Sequence, residues 1–398
     1  MANVADFYTL YMSVNQIKEV TIDSTTFSIA LRDSIYDLSP EFVLKIVDKT
    51  GLYTATRIGG YGVDWDFRLK LSDKEYAYKC RAERYEMNSF EDSEQGLSGG
   101  MEIHMLDSFM YAPSEVKAYK GKSPDKIVKD VVNSSGRDFP KINTEASSNL
   151  DMETVYNPGY APRDFIERIL LPISSSTTDF LPNPYYAFID AQSTFNYVTL
   201  KKLWSQSPIP KVLYYGNRIH IDSSKETKVM YLAPFSHNYT RLDPAIDSVF
   251  CRIEDYNGEF QSVDTGMHTF LQKQDLMFYN RDKSIVQNMS GDHFQNADEA
   301  LREQAGINHR LRKSYLTDKI ICSFPLDITY VAGKKVRVDV EYGMGGSVPC
   351  EVYSQYYVVE SSIHEWDATK NFGTTKLVLG NPVPSAKGTV MAKGLYQG

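Results

Sequence analysis

The segment Phe27-Ser28-Ile29-Ala30-Leu31-Arg32-Asp33-Ser34-Ile35-Tyr36 alternates large apolar residues with small or polar ones. Phe27, Ile29 and Leu31 recur at every second position, which is the spacing of side chains on one face of a β-strand. A strand with this pattern has one buried face and one face in water, as in an antiparallel sheet or barrel. The segment therefore predicts a β-rich fold.

The same alternation recurs in two distant parts of the chain. In each part an alternating strand precedes a strand that begins with Tyr, and a loop and a closing strand follow. The predicted strands are Phe67–Leu71, Tyr78–Arg84 and Met101–Met105 in the first half, and Val336–Val340, Tyr357–Ile363 and Thr375–Leu379 in the second. Because the spacings differ, the pattern indicates two related β-modules and not a solenoid repeat.

An α/β insertion is predicted between the two modules. Ser123-Pro124-Asp125 is typical of a helix start, with a capping hydroxyl, a proline at the first position and an acid in the first turn. A second short helix is predicted from Pro162. Strands are predicted at Tyr185–Asp190 and Tyr197–Trp204.

Four further stretches carry no clear alternation. Glu91–Gly100 is polar and rich in glycine and is predicted to form an exposed loop, and Asn133–Asn157 is predicted to be a polar stretch of low order. Asn296-Ala297-Asp298-Glu299 is a capping box and predicts a helix. The segment Asn381–Gly398 contains prolines, glycines and lysines but no acid, so it is predicted to be a flexible basic tail.

These changes in pattern predict the domain organisation. The predicted parts are a first β-module at 1–110, an α/β insertion at 111–210, a second β-module at 211–262 and 307–380, a small insertion with a helix at 263–306, and a flexible tail at 381–398.

The composition favours a protein with large protein–protein interfaces and argues against nucleic-acid binding and membrane insertion. Among 398 residues, 28 are Tyr, a residue that favours pleated surfaces and protein interfaces. The net charge is -8 and no basic block stands out, so stable nucleic-acid binding is not expected. The 4 cysteines are scattered along the chain and none forms a CxxC motif. This pattern indicates free thiols in a reducing compartment. Met1–Val20 lacks a signal-peptide pattern and no long apolar run follows, so a soluble protein without membrane insertion is expected.

The sequence predicts no catalytic, cofactor-binding or metal-binding residue. His364-Glu365-Trp366 begins like the HExxH zinc motif, but position 368 is Ala368 instead of the second histidine. No phosphate-binding loop is present. We therefore expect a protein that is not an enzyme and needs no metal or cofactor.

Three segments resemble the central baseplate hub protein of T-even-type contractile-tailed phages. They are Phe27–Tyr36, in which Arg-Asp-Ser-Ile-Tyr is the best match, the helix and strand at Asp298–Ile320, and Tyr357–Glu365 before the closing hairpin. Each segment is weakly specific alone, but they occur in the same order across about 350 residues. Asn133–Asn157 and the loop Gly343–Cys350 have no counterpart in this resemblance.

The resemblance implies two tube-like antiparallel β-barrel domains in a mixed, β-rich α+β protein. It also implies a homotrimeric, pseudo-sixfold ring in the tail baseplate of the virion, assembled in the host cytoplasm. The implied partners are the central spike protein, the tail tube or a tube-initiator protein, and the baseplate wedge proteins. Genomic DNA would pass through the ring without specific binding.

Two other functions remain open at this stage. A cell-wall hydrolase of the tail tip would need an acid–base pair in a cleft. A receptor-binding β-module would also be rich in Tyr, but the repeated tube-like module argues against it. A secretion-system spike would share the fold, so the biological context stays open.

Overall fold

The structure is a computed structural model. It describes residues 8–14, 20–22, 27–48, 64–71, 74–87, 91–93, 96–148, 154–176, 185–218, 221–235, 250–254, 260–264, 316, 318–342, 348–351, 353–367 and 372–381.

The first module is an antiparallel sheet in the order β3-β4-β8-β6-β5-β1-β2. Its strands are β1 (Tyr8–Val14), β2 (Val20–Ile22), β3 (Phe27–Ser34), β4 (Glu41–Asp48), β5 (Asp64–Leu71), β6 (Lys74–Met87), β7 (Glu91–Ser93) and β8 (Gly96–Asp107). The alternation predicted for β3 is confirmed, since Phe27, Ile29 and Leu31 are each at most 3% exposed. They pack with Phe42 and Trp65 in the core of this module.

The prediction of an irregular loop at Glu91–Gly100 was wrong. β7 and the start of β8 form a short antiparallel hairpin here, with Glu91 opposite Ser98 and Ser93 opposite Gly96. Backbone hydrogen bonds can extend a hairpin beyond the core. Strands in that position need no apolar residues, so they show no alternation in the sequence. The polar sequence therefore concealed a strand.

The insertion contains a small sheet, β10-β15-β14, in which β10 and β15 are parallel. After a 3-10 turn at Ser108–Tyr111, its elements are β9 (Val116–Lys120), α1 (Pro124–Ser134), β10 (Lys141–Thr144), β11 (Ser147–Ser148), β12 (Thr154–Pro158), α2 (Pro162–Phe165), a π-helical turn (Ile166–Leu170), α3 (Leu171–Ile173), β13 (Ser175–Ser176), β14 (Tyr185–Ile189), β15 (Thr194–Thr199) and α4 (Leu200–Ser205).

Both helix starts predicted in the insertion are confirmed, at Pro124 and at Pro162. The capping hydroxyl differs from the prediction, because the Asp125 N–H donates to Ser147 Oγ at 2.9 Å and Ser123 makes no side-chain cap. Ser147 belongs to a strand 22 residues away, so sequence spacing could not reveal this cap.

Two other predictions in the insertion need correction. Asn133–Asn157 was predicted to be irregular, yet it contains β10, β11 and most of β12. The strand predicted at Tyr197–Trp204 ends at Thr199, whose hydroxyl accepts the Lys202 N–H at 3.1 Å and caps α4. Both errors arise because short strands and one-turn helices carry too few residues to show a period.

The second module has the strand order β18-β21-β25-β24-β22-β16-β17, and β16 is parallel to β17 and β22. Its strands, with a separate hairpin β19–β20, are β16 (Val212–Tyr215), β17 (Glu226–Lys228), β18 (Tyr231–Phe235), β19 (Phe250–Glu254), β20 (Phe260–Asp264), β21 (Asp318–Pro325), β22 (Lys335–Tyr342), β23 (Val348–Pro349), β24 (Tyr356–Asp367) and β25 (Phe372–Asn381). The helix predicted at 296–299 and the tail beyond Asn381 lie outside the described residues.

The two modules share a three-stranded antiparallel meander. In the first module β5 pairs with β6 and β6 pairs with β8. In the second, β22 pairs with β24 and β24 pairs with β25. The predicted fold class, β-rich α+β with two tube-like antiparallel modules and an α/β insertion, is confirmed, and within the described strands the sheet is open and not closed into barrels.

Candidate functional site at the joint between the modules

β24 belongs to both modules because it changes its partner halfway along its length. Residues 356–358 pair with β22 of the second module, whereas residues 361–366 pair with β3 of the first. The register of β24 shifts between these stretches, which places a β-bulge at Glu360. The Ile35 N–H donates to the Glu360 carbonyl at 2.9 Å. The two modules therefore form one continuous sheet, and we call this region the joint.

Asp33 lies at the centre of the joint, on the core-facing side of β3, and is 4% exposed. One carboxylate oxygen, Oδ2, accepts the Ala191 N–H at 2.7 Å and the Ala332 N–H at 3.0 Å. The other, Oδ1, accepts the hydroxyl of Ser362 on β24. Ala191 is in the turn between β14 and β15, and Ala332 precedes β22. One buried side chain thus connects the first module, the insertion and the second module.

A chain of hydrogen bonds extends from Asp33 into the second module. Ser362 Oγ lies 2.9 Å from His364 Nε2, and His364 Nδ1 lies 3.0 Å from Thr375 Oγ1 on β25. The Asp327 N–H donates to the same Thr375 oxygen at 2.9 Å. Each polar group of this chain has a partner, which is the condition for burying polar side chains without a large free-energy penalty.

Burial determines the protonation of this chain. The pKa of Asp33 is raised from 3.8 to about 7. Desolvation is the main cause and the nearby carboxylate of Asp190 adds to it, whereas the hydrogen bonds from Ser362, Ala191 and Ala332 lower the pKa. Desolvation also lowers the pKa of His364 to about 3. His364 is therefore neutral at physiological pH, and Asp33 titrates close to neutrality.

The Asp–Ser–His chemistry of this chain is not arranged for nucleophilic catalysis. In a catalytic triad the serine donates to the histidine and the acid orients the histidine. Here the Ser362 hydroxyl donates to Asp33, and His364 contacts Thr375 instead of a carboxylate. Ser362 is 1% exposed and His364 is 2% exposed, so both side chains are buried. His364, the residue that began the incomplete HExxH pattern, is a buried strand residue.

The turn between β14 and β15 docks the insertion onto both modules. Its Ala191 carbonyl accepts the hydroxyl of Tyr78 on β6 at 2.8 Å, and Ser193 Oγ donates to the Ala77 carbonyl at 3.2 Å. Gln192 Nε2 donates to the Ile328 carbonyl, beyond β21, at 3.0 Å. The insertion is thereby held to both modules by main-chain and side-chain hydrogen bonds.

A buried ion pair forms a second link between the first module and the insertion. Arg137, which follows α1, lies 3.2 Å from the carboxylate of Asp107 at the end of β8, and their side chains are 5% and 0% exposed. The Asp107 carboxylate also accepts the Phe109 N–H at 2.9 Å. The guanidinium of Arg137 stacks over Phe139, 4.8 Å from the ring centre. Arg137 thus balances a carboxylate that burial would otherwise strongly destabilise.

Gly333, in the loop before β22, is expected to tolerate no side chain. Its φ is +80°, and a Cβ there would lie 2.6 Å from the ring of Phe188 in the insertion. We expect Gly333→Ala to lower the free energy of unfolding by about 1–3 kcal/mol, through backbone strain and overpacking. Urea denaturation measures the change. The matched control is Gly121→Ala, which has a similar φ of +62° but no atom within 4 Å of its Cβ, and a loss equal to the control's would contradict the packing argument.

A cleft of about 430 Å³ opens at the surface beside the joint. Its cationic side chains already have acidic neighbours. Arg32 pairs with Glu41, Arg163 pairs with Glu167, and His104 lies within 3.4 Å of Glu41. Among the described residues, no cluster of histidine, cysteine or acidic side chains could hold a metal ion. No helix in that part of the chain is long and apolar enough to cross a membrane.

The fold and the joint define a class of protein in which two β-modules share one sheet around an α/β insertion. Solved structures share this fold, among them two tail proteins. The 43 kDa tail protein of prophage MuSo2 from Shewanella oneidensis aligns with a TM-score of 0.54 and 10% identity over 94% of this chain and 98% of that one. A tail protein from Neisseria meningitidis MC58 aligns with a TM-score of 0.53 and 11% identity over 94% and 97%. No family model and no curated protein sequence matches the chain.

Proposed function

We propose that this chain is the structural baseplate hub of a contractile phage tail, related to the hub of T-even-type phages. Three copies form a ring that joins the hexameric tail tube to the trimeric central spike. The ring also contacts the baseplate wedge proteins and leaves a channel for DNA. The chain acts in the tail of the virion after assembly in the host cytoplasm, and it has no enzymatic activity.

The observation that carries this proposal is the joint between the modules. Two modules with the same meander are fixed side by side by pairing between β3 and β24. Three such chains supply six similar modules around an axis, which suits a sixfold tube on one side and a threefold spike on the other. The fold shared with two tail proteins, one of them from a prophage, supports the same proposal.

The predicted domain boundaries are part of this proposal. The module at 1–110 and the module at 211–262 with 307–380 are the two units of the ring. The insertion at 111–210 occurs once per chain, so it reduces the symmetry from sixfold to threefold. The small insertion at 263–306 and the tail at 381–398 are assigned to contacts with neighbouring proteins.

The purified protein is expected to be a trimer. A ring with permanent interfaces buries on the order of 2,000 Å² at each contact, so it should persist at low concentration. Light scattering should give the mass of three chains. Averaged electron micrographs should show six lobes with threefold symmetry. A stable monomer at tens of micromolar, together with tails that lack such a ring, would reject the proposal.

A further inference from the structure

Four buried side chains of the joint, Asp33, Ser362, His364 and Thr375, form a hydrogen-bond chain that can run in two directions. Ser362 Oγ contacts Asp33 Oδ1 and lies 2.9 Å from His364 Nε2, and His364 Nδ1 lies 3.0 Å from Thr375 Oγ1. The chain ends at Asp327, whose N–H donates to Thr375 Oγ1 at 2.9 Å and whose carbonyl lies 3.4 Å from the same oxygen. A hydroxyl both donates and accepts, and a neutral imidazole donates from one nitrogen and accepts at the other. The direction of the chain is therefore set by its first group, Asp33.

The ionised form of Asp33 imposes one direction. A carboxylate only accepts hydrogen bonds, so the Ser362 hydroxyl donates to it. Ser362 Oγ then accepts from His364 Nε2–H, and His364 Nδ1 accepts from the Thr375 hydroxyl. In this direction His364 is the Nε2–H tautomer.

The protonated form of Asp33 imposes the opposite direction. Its O–H donates to Ser362 Oγ, and the Ser362 hydroxyl turns to His364 Nε2. His364 then carries its proton on Nδ1 and donates to Thr375 Oγ1, and the Thr375 hydroxyl turns to the Asp327 carbonyl. Each group has a partner in both directions, so neither protonation state leaves a buried polar group of the chain unsatisfied.

The surroundings of Asp33 bring the exchange between the two forms close to neutral pH. Burial, with a further contribution from the carboxylate of Asp190, raises the pKa of Asp33 to about 7, whereas burial lowers the pKa of His364 to about 3. Asp33 is faced by His364 on β24, Tyr78 on β6 and Asp190 at the end of β14, and Lys334 before β22 acts on Asp190. Burial raises the pKa of Tyr78 well above its usual value, so this phenol stays neutral.

The cleft of about 430 Å³ beside the joint brings solvent next to this chain. Asp33 and Ser362 are among the residues that line it. A proton that leaves Asp33 therefore has a short path to water. The charged residues around the rest of the cleft are Arg32, Asp37, Glu41, Glu83, His104 and Arg163.

We propose that the chain from Asp33 to Thr375 is a pH-sensitive switch buried at the joint. Loss of one proton from Asp33 to solvent reverses the chain, and His364 exchanges a proton on Nδ1 for one on Nε2 while it stays neutral. Ser362, His364 and Thr375 each keep the same number of protons and change only the neighbour to which they donate. A change of protonation on β3 of the first module is thereby transmitted to β25 of the second. The switch goes beyond the proposed function, because it needs neither a ring nor a partner protein.

The tautomer of His364 is the direct readout of the switch. The protein is labelled with ¹⁵N only at histidine, and solid-state NMR of the sedimented protein separates the Nδ1–H, Nε2–H and imidazolium forms. His364→Gln identifies the His364 signal by its loss. We expect the ratio of the Nε2–H to the Nδ1–H tautomer to rise by about tenfold or more between pH 5 and pH 9, with a midpoint near 7 and no imidazolium form.

Three variants separate Asp33 from its surroundings. Asp33→Asn fixes one direction, because its amide donates to Ser362 at every pH, so His364 is expected to remain the Nδ1–H tautomer throughout. Asp190→Asn removes the carboxylate that raises the pKa of Asp33, so the midpoint should move to lower pH. The matched control is Glu83→Gln, which removes an exposed acid at the same cleft and should keep the native titration.

A single tautomer of His364 in the native protein from pH 5 to pH 9 overturns the switch, whether or not the variants fold. A tautomer change that persists in Asp33→Asn also overturns it, because the proton would then come from another group. Loss of the change in Glu83→Gln has the same meaning, since the response would belong to the surface of the cleft. An imidazolium form of His364 in this range would show that the histidine itself titrates and would reject the neutral exchange.

Discussion

Asp33→Ala is expected to lower the free energy of unfolding by about 3–5 kcal/mol. The substitution removes the acceptor of the Ala191 and Ala332 N–H groups and of the Ser362 hydroxyl. A buried donor left without a partner costs about 1–3 kcal/mol, and the three costs are not fully additive. Urea denaturation followed by tryptophan fluorescence measures the loss.

Asp33→Asn is the matched control for this prediction. Its carbonyl oxygen can accept the two N–H groups and its amide can donate to Ser362, whose hydroxyl can turn to His364. We therefore expect Asp33→Asn to retain most of the stability that Asp33→Ala loses. Equal losses for the two variants would mean that the volume of the side chain matters more than its hydrogen bonds.

The native protein and Asp33→Asn are also expected to differ in the pH dependence of their stability. The folded-state pKa of Asp33, about 7, lies above the ordinary value of 3.8, so the folded protein binds this proton more tightly than the unfolded chain does. The contribution of Asp33 to stability is therefore greatest at low pH and declines as the pH rises from about 4 to about 7. Asp33→Asn should lack this decline. Parallel slopes for the two proteins across this range would contradict the assignment.

Arg137→Met is expected to destabilise the protein by about 3–5 kcal/mol. Methionine retains much of the side-chain length, but it leaves the Asp107 carboxylate buried without a counter-charge. Removing one partner of a buried ion pair costs this much because the remaining charge is not solvated. Because Arg137 lies in the insertion, the loss should appear as weaker attachment of the insertion to the first module, measured by hydrogen exchange around α1.

Arg163→Met supplies the control for Arg137→Met. Arg163 pairs with Glu167 at 3.3 Å, but its side chain is 49% exposed, so the loss should be at most about 1 kcal/mol. The double variant Asp107→Asn/Arg137→Met should recover part of the stability, because the remaining polar group is neutral. If Arg137→Met lowers the free energy of unfolding by no more than Arg163→Met does, the buried ion pair with Asp107 contributes no more to stability than an exposed one.

The sequence predicted the strands of the joint but not its chemistry. Period-two alternation located β3, β22, β24 and β25, since each has a stretch in which apolar residues occupy every second position. The same alternation contained a signal for the joint. Asp33 falls on the buried side of β3, where a polar residue needs a partner. His364 reaches the buried side of β24 only because the bulge at Glu360 shifts the alternation, so the sequence pattern contained no such signal for it. The partners of Asp33 are distant in sequence, since Ser362 is 329 positions away, so no local pattern could identify them.

The errors have a common physical origin. Glu91–Gly100 and Asn133–Asn157 were predicted to be irregular because their polar side chains have no core to face. Their strands are short and are formed by backbone pairing, of β7 with β8, β10 with β15, β11 with β13 and β12 with β9. Arg137 was missed for another reason. A lone arginine after a helix is usually exposed, and only the folded insertion brings it to Asp107.

The pairing of β3 with β24 also has a consequence for biosynthesis. β3 is made before the strand that covers its edge, which follows more than 300 residues later. At about 5–20 residues per second, the ribosome needs roughly 15–65 s to produce β24. During that interval β3 has one edge open to other chains, and open edges promote aggregation. The nascent protein should therefore depend on chaperones until β24 and β25 emerge, and chains that terminate before β24 should be insoluble.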